Sequence, residues 1–252
     1  MEAPPSPPWP RRTTIMAAMR FEDPLIPATL IRRYKRFLAD VRLEDGHEMT
    51  AHCPNPGRMD GCQAPGSEVL LSDSHNPRRK LRYTWELVRV GTTWVGVNTN
   101  RPNAVVREAI AGGAIPELAG YPALRGEVAY GTNSRVDLLL EDGARRCYVE
   151  VKNVTLAEGG VAMFPDAVTA RGLTHLRELA ARVAAGDRAS MVYLVNREDC
   201  HAFRPAAHID PAYAAGLIEA TAHGVEVLVY TARVQPEGIT VARRITAIDL
   251  GT

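Results

Sequence analysis

The chain has 252 residues, 46% of them apolar and 23% charged, which excludes collagen-like, fibrous and largely disordered classes and leaves a globular protein of one large core or two smaller ones. Thirty Lys and Arg against 29 Asp and Glu give a net charge of +1, so overall charge names no partner and any nucleic-acid surface must come from local clusters. No run approaches the ~18 apolar residues of a membrane helix, and no membrane partner is expected.

In chain order, residues 1–19 read as a disordered Pro-rich tail without the apolar stretch of a secretory signal, and Met1, Met16 and Met19 are all candidate starts. Residues 20–99 alternate with a period of two. Strands are expected over Ala28–Tyr34, Phe37–Leu43, Glu48–Cys53, Glu68–Ser72, Arg82–Val90 and Thr93–Val97, with Asp45-Gly46 and Gly91-Thr92 as turns. Short strands at this density suit a small closed barrel such as an OB-fold, with a small open sheet as the competing architecture.

From 100 to 252 the pattern becomes mixed α/β. Asn103 can cap a short helix, Ala104–Ala111, ended by Gly112-Gly113. Strands follow at Arg125–Tyr130, Arg135–Glu141 and Arg146–Val154. A long helix, about Thr169–Ala185, places Leu173, Leu176, Leu179, Ala180 and Val183 on one face. Next come a strand at Ala189–Asn196, a helix opened by Asp210-Pro211 and closed by Gly224, and final strands at Val225–Val234 and Ile239–Leu250.

The chemistry-bearing stretch is the hairpin around Asp142-Gly143. With those two residues at the turn centre, Asp137 faces Tyr148 and Arg135 faces Glu150. Alternation then sorts Val136, Leu138, Leu140, Cys147, Val149 and Val151 to an apolar face, and Arg135, Asp137, Leu139, Tyr148, Glu150 and Lys152 to the other. Such charges can be a solvated polar face with cross-strand pairs. Against that, the surrounding sequence looks like central strands of an α/β sheet, covered on both sides. Two carboxylates about 5 Å apart repel by roughly 3 kcal/mol at an effective dielectric of about 20. A lysine and a divalent cation would relieve that repulsion. Asp137, Glu150 and the Val151 carbonyl are the candidate ligands for Mg2+ or Mn2+, with Glu108 assisting and Lys152 serving the nucleophile or the charge on phosphorus. All but three of the cations are arginine, which singles out Lys35, Lys80 and Lys152 as positions where a compact donor is wanted.

An acid on a helix, then Asp137 on a strand, Glu150-x-Lys152 on the next, then helix and strand, resembles the PD-(D/E)xK nuclease superfamily. A closer resemblance runs from about Arg20 to Leu250. Leu30-Ile31-Arg32-Arg33-Tyr34-Lys35-Arg36-Phe37, His52-Cys53-Pro54-Asn55, Tyr83-Thr84-Trp85-Glu86-Leu87, Val97-Asn98-Thr99, Ser134-Arg135-Val136-Asp137, Val149-Glu150-Val151-Lys152-Asn153-Val154-Thr155-Leu156 and Phe164-Pro165-Asp166-Ala167-Val168-Thr169 resemble the sugar fermentation stimulation protein A (SfsA) family. The resemblance implies an N-terminal OB-fold, a C-terminal nuclease-like α/β domain, DNA binding and a part in regulating sugar-catabolism genes. Two departures stand out. Pro56-Gly57-Arg58 replaces an expected Thr-Gly-Ser, and the tail up to Met19 has no counterpart and is expected to be dispensable.

Arg32, Arg33, Tyr34, Lys35, Arg36 and Phe37, and likewise Arg78, Arg79, Lys80, Arg82 and Tyr83, mix cations with rings, as a single-strand groove does for phosphates and bases. A charged edge that discourages aggregation reads the same way. Arg171 and His175, one turn apart, can contact phosphate or be plain surface polarity, and Glu127 can join the metal site or pair with an arginine. His52, Cys53, Cys62 and His75 match no common zinc spacing. The four cysteines, with Cys147 and Cys200, contain no Cys-x-x-Cys pair and fit free thiols in a reducing cytoplasm. Two functions are therefore in play: a divalent-metal-dependent phosphodiesterase on DNA, and a DNA-binding regulator that cleaves nothing. No helix-turn-helix is recognisable, which favours single-stranded or structured DNA over sequence-specific duplex.

Overall fold

The computed structural model describes residues 19–130 and 134–251; the Pro-rich segment through residue 18 lies outside them. The described residues open in the second domain: β1 (Met19–Arg20) pairs with a strand near the C-terminus, Met19 opposite Ile239. Met19 is buried, so the boundary drawn at 19/20 is corrected. Residues 19–20 are an edge strand of the α/β sheet, not tail or barrel.

The chain then builds the barrel from β2 (Ile26–Tyr34), β3 (Leu38–Leu43), β4 (Glu48–His52), β5 (Glu68–Asp73), β6 (Tyr83–Val90) and β7 (Thr93–Gly96). The order is β4-β3-β2-β5-β6-β7, and His52 against Thr84 closes β4 onto β6. Closure removes the free edges that an open sheet would expose. Inside lie Leu30, Val41, Val69, Leu71, Trp85, Val88 and Val97, contributed by the alternating apolar positions of the strands.

The second domain contains α1 (Pro102–Ala111), β8 (Ala123–Tyr130), β9 (Ser134–Asp142), β10 (Arg145–Val154), β11 (Ala157–Glu158), β12 (Val161–Phe164), α2 (Ala170–Ala184), β13 (Arg188–Val195), β14 (Ala202–Pro205), α3 (Pro211–Ala222), β15 (Glu226–Gln235), β16 (Gly238–Arg244) and β17 (Ala247–Ile248). Its main sheet runs β1-β16-β15-β13-β10-β9-β8, and a small sheet runs β11-β12-β14-β17. The small sheet was not legible beforehand, because its strands are two to four residues long and cannot show a period.

One face of the main sheet packs on Val105, Val106, Ala109 and Ile110 of α1, and also on Leu70 and Leu87 of the barrel, so the two domains share a core. The other face packs on Leu176 and Leu179 of α2 and Tyr213 and Leu217 of α3. Thr169 and Asp210 cap these two helices, accepting from Gly172 N and Tyr213 N. Among the described residues no helix is long and apolar enough to cross a membrane.

The hairpin register differs from the expected one by two residues. Leu139 lies opposite Tyr148 and Leu138 opposite Val149, because the turn centres on Gly143-Ala144 with Gly143 at φ 57°, the first-position glycine of a tight hairpin turn. A two-residue shift preserves facing, so Asp137, Glu150 and Lys152 stay together. Val136 is the exception to strict alternation. It is buried with the α2-side residues, beyond the point where the β9–β10 pairing ends.

Candidate active site

The ladder between β9 and β10 stops at Leu138 and Val149. One step further on, the Asp137 side chain takes over: its Oδ2 accepts the Val151 N–H at 2.8 Å, and its Oδ1 accepts from Asn103 Nδ2 at 2.8 Å. Asn103 is therefore not the cap of α1. The N-cap is Arg101, without a side-chain cap bond, and Pro102 starts the helix. That frees the Asn103 amide for the carboxylate, and it is the site residue that sequence reasoning misassigned.

Glu150 is 2% exposed. Its Oε1 accepts from Lys152 Nζ at 2.7 Å and is in close contact with His175 Nδ1, while its buried Oε2 has no partner among the described residues. On the far side of the ring, Arg171 Nε donates to His175 Nε2 at 3.2 Å. With Nε2 accepting from Arg171, Nδ1 carries the proton that faces Glu150. Lys152 Nζ, although 3.2 Å from Nδ1, is then bonded to the carboxylate and not to the ring. His175 is 4% exposed; it lines the floor of the cleft and positions Glu150, with its Nε2 taken by Arg171. Arg171 is exposed at the cleft wall.

The electrostatics follow from this packing. Burial, then the Glu150 charge, lifts Asp137 above its ordinary range, opposed by the Val151 N–H, Asn103 and Lys152. Burial also works against a charged Glu150, but the His175 hydrogen bond and the Lys152 charge outweigh it and hold Glu150 below the ordinary value. One carboxylate is thus compensated and its neighbour is not.

These groups line a cleft of about 550 Å³ whose opposite wall is the barrel: Arg36, Asn55, Pro56 and Gly57 face Asp137, Glu150, Lys152 and Arg171. The domains are latched there. Met59 N donates to Asp166 Oδ2 at 3.0 Å. Gly57 lies so close to the Asp166 carboxylate that a Cβ would fall 2.2 Å from its oxygen, so a side chain there would push the carboxylate off Met59 N. Glu108 is not in the cleft. It lies five residues beyond Asn103, roughly 140° round the helix, and its buried Oε2 has no partner among the described residues. Glu127, at φ 55°, reaches Asn103 Nδ2 at 3.5 Å, and Arg135 donates to the Glu127 carbonyl, not to Glu150.

The two basic clusters divide. Arg33 turns inward, donating to the carbonyls of Asn55 at 2.9 Å, Gly57 at 2.8 Å and Arg36 at 3.1 Å; it holds a loop and is not available to phosphate. Arg32 pairs with Asp40, which also accepts from Tyr34, and Arg82 pairs with Asp73. Arg79 reaches Thr84 at 3.3 Å, and Tyr83 packs on the barrel core. Lys35, Arg36, Arg78 and Lys80 are exposed. The four cysteines are free and buried. Burial pushes the Cys62 thiol up to about 11, and among the described residues no group of three His, Cys, Asp or Glu is placed to hold a metal.

Comparison with known proteins agrees with this two-part architecture. Residues 31–97 match the family model described as the SfsA N-terminal OB domain. Residues 100–238 match the sugar fermentation stimulation protein RE domain. The sugar fermentation stimulation protein homolog of Rhodospirillum centenum is 63% identical over 227 residues, spanning 89% of this chain and 97% of that one. Its counterpart in Paramagnetospirillum magneticum is 59% identical over 229 residues, spanning 90% and 97%. Among solved structures, Pyrococcus furiosus SfsA in complex with Ca2+ superposes with a TM-score of 0.84 at 27% identity, covering 93% of this chain and 99% of that one. On these matches over both domains, the chain belongs to the sugar fermentation stimulation protein family.

Proposed function

We propose that the protein is a divalent-metal-dependent phosphodiesterase acting on DNA, with its active site in the interdomain cleft. The observation that carries this reading is the buried, unpartnered Oε2 of Glu150 beside an uncompensated Asp137 and a lysine in one cleft. The donor set suits a hard cation. Mg2+ or Mn2+ takes one or two carboxylates and leaves its other positions to water and substrate phosphate. Asp137 and Glu150 would hold it, with the Val151 carbonyl as third ligand; Glu108 lies too far round α1 to join them. The archaeal relative is described with Ca2+, another hard, oxygen-seeking ion, which is consistent with this donor chemistry.

When bound, the cation supplies Lewis-acid polarisation of the scissile phosphate. The chain supplies the rest. Lys152 orients the attacking water and offsets charge building on phosphorus. His175 and Lys152 fix the Glu150 carboxylate from one side, leaving Oε2 free, and Asn103 with the Val151 N–H fixes Asp137. Arg171 and Arg36 at the cleft walls meet neighbouring phosphates.

A second reading, a DNA-binding regulator of sugar-catabolism genes that cleaves nothing, draws on the family name and on the Lys152 head being already engaged by Glu150. Turnover separates the two. Purified protein with Mg2+ or Mn2+ is incubated with end-labelled single-stranded, duplex and forked DNA. Metal-dependent cleavage lost in Asp137→Ala supports the enzyme; no cleavage of any substrate, with DNA binding retained, leaves the regulator.

A further inference from the structure

Two large apolar side chains stand out in solvent, Phe37 at 45% and Val168 at 76% exposure. Single exposed apolar residues are ordinary. These two, however, come from different domains: Val168 lines the cleft from the segment leading into α2, and Phe37 is the chain neighbour of Arg36, which lines it from the other wall at the β2–β3 tip.

The tip is held in an unusual shape. Lys35 and Arg36 take φ values of 46° and 66°, a region that long side chains avoid and that persists only where surroundings impose it. Arg33 imposes it here, binding the Arg36 carbonyl through Nε and the Asn55 and Gly57 carbonyls through Nη2. Met59, two residues past Gly57, binds Asp166, and Asp166 leads directly to Val168. A continuous series of hydrogen bonds and short chain segments therefore ties the tip that carries Arg36 and Phe37 to the segment that carries Val168.

A ring and an aliphatic group near the proposed phosphodiesterase site, with an Arg36 guanidinium that has no partner among the described residues, suit a particular ligand. Stacked base pairs hide their faces, whereas an unpaired base offers a face for an aromatic ring and a phosphate for a cation. Resting on the DNA reading above, we infer that the mouth receives an unpaired DNA strand: Phe37 stacks on a base, Arg36 holds the adjoining phosphate, and Val168 packs against the nucleotide from the other domain. The substrate class is accordingly single-stranded DNA or the unpaired end of a fork, not continuous duplex.

The test is fluorescence anisotropy of end-labelled oligothymidine, and of a duplex of the same length, titrated with the full chain in EDTA so that nothing is cut. Wild type is expected to bind the single strand more tightly than the duplex. Phe37→Ala should weaken single-strand binding about tenfold, Phe37→Trp should preserve it, and Arg36→Ala should lower the salt-dependence slope by about one. Unchanged melting temperatures in these variants exclude a folding defect. The inference is overturned if Phe37→Ala binds the single strand as wild type does, or if wild type prefers duplex. Should wild type bind no DNA of either form, the DNA reading itself falls with it.

Discussion

Two buried glutamates, each paired with a cation, differ in how completely the fold satisfies them. Glu86, 1% exposed, joins the barrel to the segment entering α1. Its Oε1 accepts from Ser72 at 2.7 Å and Arg101 at 2.6 Å, and its Oε2 from Asn98 at 2.9 Å and Arg101 at 3.0 Å. Every site on that carboxylate is used. Glu150, equally buried, has both of its partners on Oε1 and none on Oε2. A buried acceptor left unpaired costs about 1–3 kcal/mol or more when charged, and a fold that satisfies Glu86 fully had the means to satisfy Glu150. The open position on Glu150 is what a bound cation would fill.

The largest expected contrast is in activity and stability. Glu150→Gln should retain the fold and lose cleavage by about a thousandfold or more, read as turnover of labelled DNA. Glu86→Ala should do the reverse, costing about 3 kcal/mol of stability because it leaves the half-buried Arg101 without its counter-charge, read by denaturant unfolding. If Glu86→Ala were harmless and Glu150→Gln unfolded the protein, the roles would be exchanged.

Next in size is the response to metal. Cation present at about a hundred times its dissociation constant adds about 2.7 kcal/mol, or several degrees of melting temperature at this chain length. Wild type should show that rise with Mn2+ or Mg2+, Glu150→Gln should not, and scanning calorimetry decides. A smaller effect sharpens the distinction between occupied and open charges. Arg82→Ala and Arg32→Ala, whose cations already have carboxylate partners, should stay within about twofold of wild-type DNA affinity, because exposed paired charges contribute little.

The smallest effect is on one proton. The Arg82 hydrogen bonds, then the His75 N–H, hold Asp73 down to about 2. A folded value below the unfolded one means a contribution present above the ordinary Asp range and lost as pH falls towards 2. Arg82→Ala should return Asp73 towards its ordinary range, followed by carboxyl-carbon NMR, with little change in stability at neutral pH.

Much of this was legible in the chain, for identifiable reasons. The Asp137, Glu150 and Lys152 grouping survives a two-residue error in register because strand facing has a period of two. The long helices announced themselves through Thr169, Asp210 and Pro211 at their starts. What escaped were contacts between residues distant in sequence. Asn103 looks like a cap until Asp137 is folded against it, and Pro102 was the local signal that the helix begins without one. Arg33 is indistinguishable from Arg32 on paper, yet it faces inward onto four carbonyls. Nothing local tells that Gly57 must admit Asp166, 109 residues further along the numbering. The barrel wall of the cleft was missed for the same reason.

The direct test is titration of Mn2+ followed by electron paramagnetic resonance, with wild type, Glu86→Gln and Glu150→Gln side by side. A saturable site in wild type and in Glu86→Gln, lost in Glu150→Gln, is the expected result. Equal Mn2+ binding by wild type and Glu150→Gln, or none by wild type, would contradict the assignment of Glu150 as the open carboxylate.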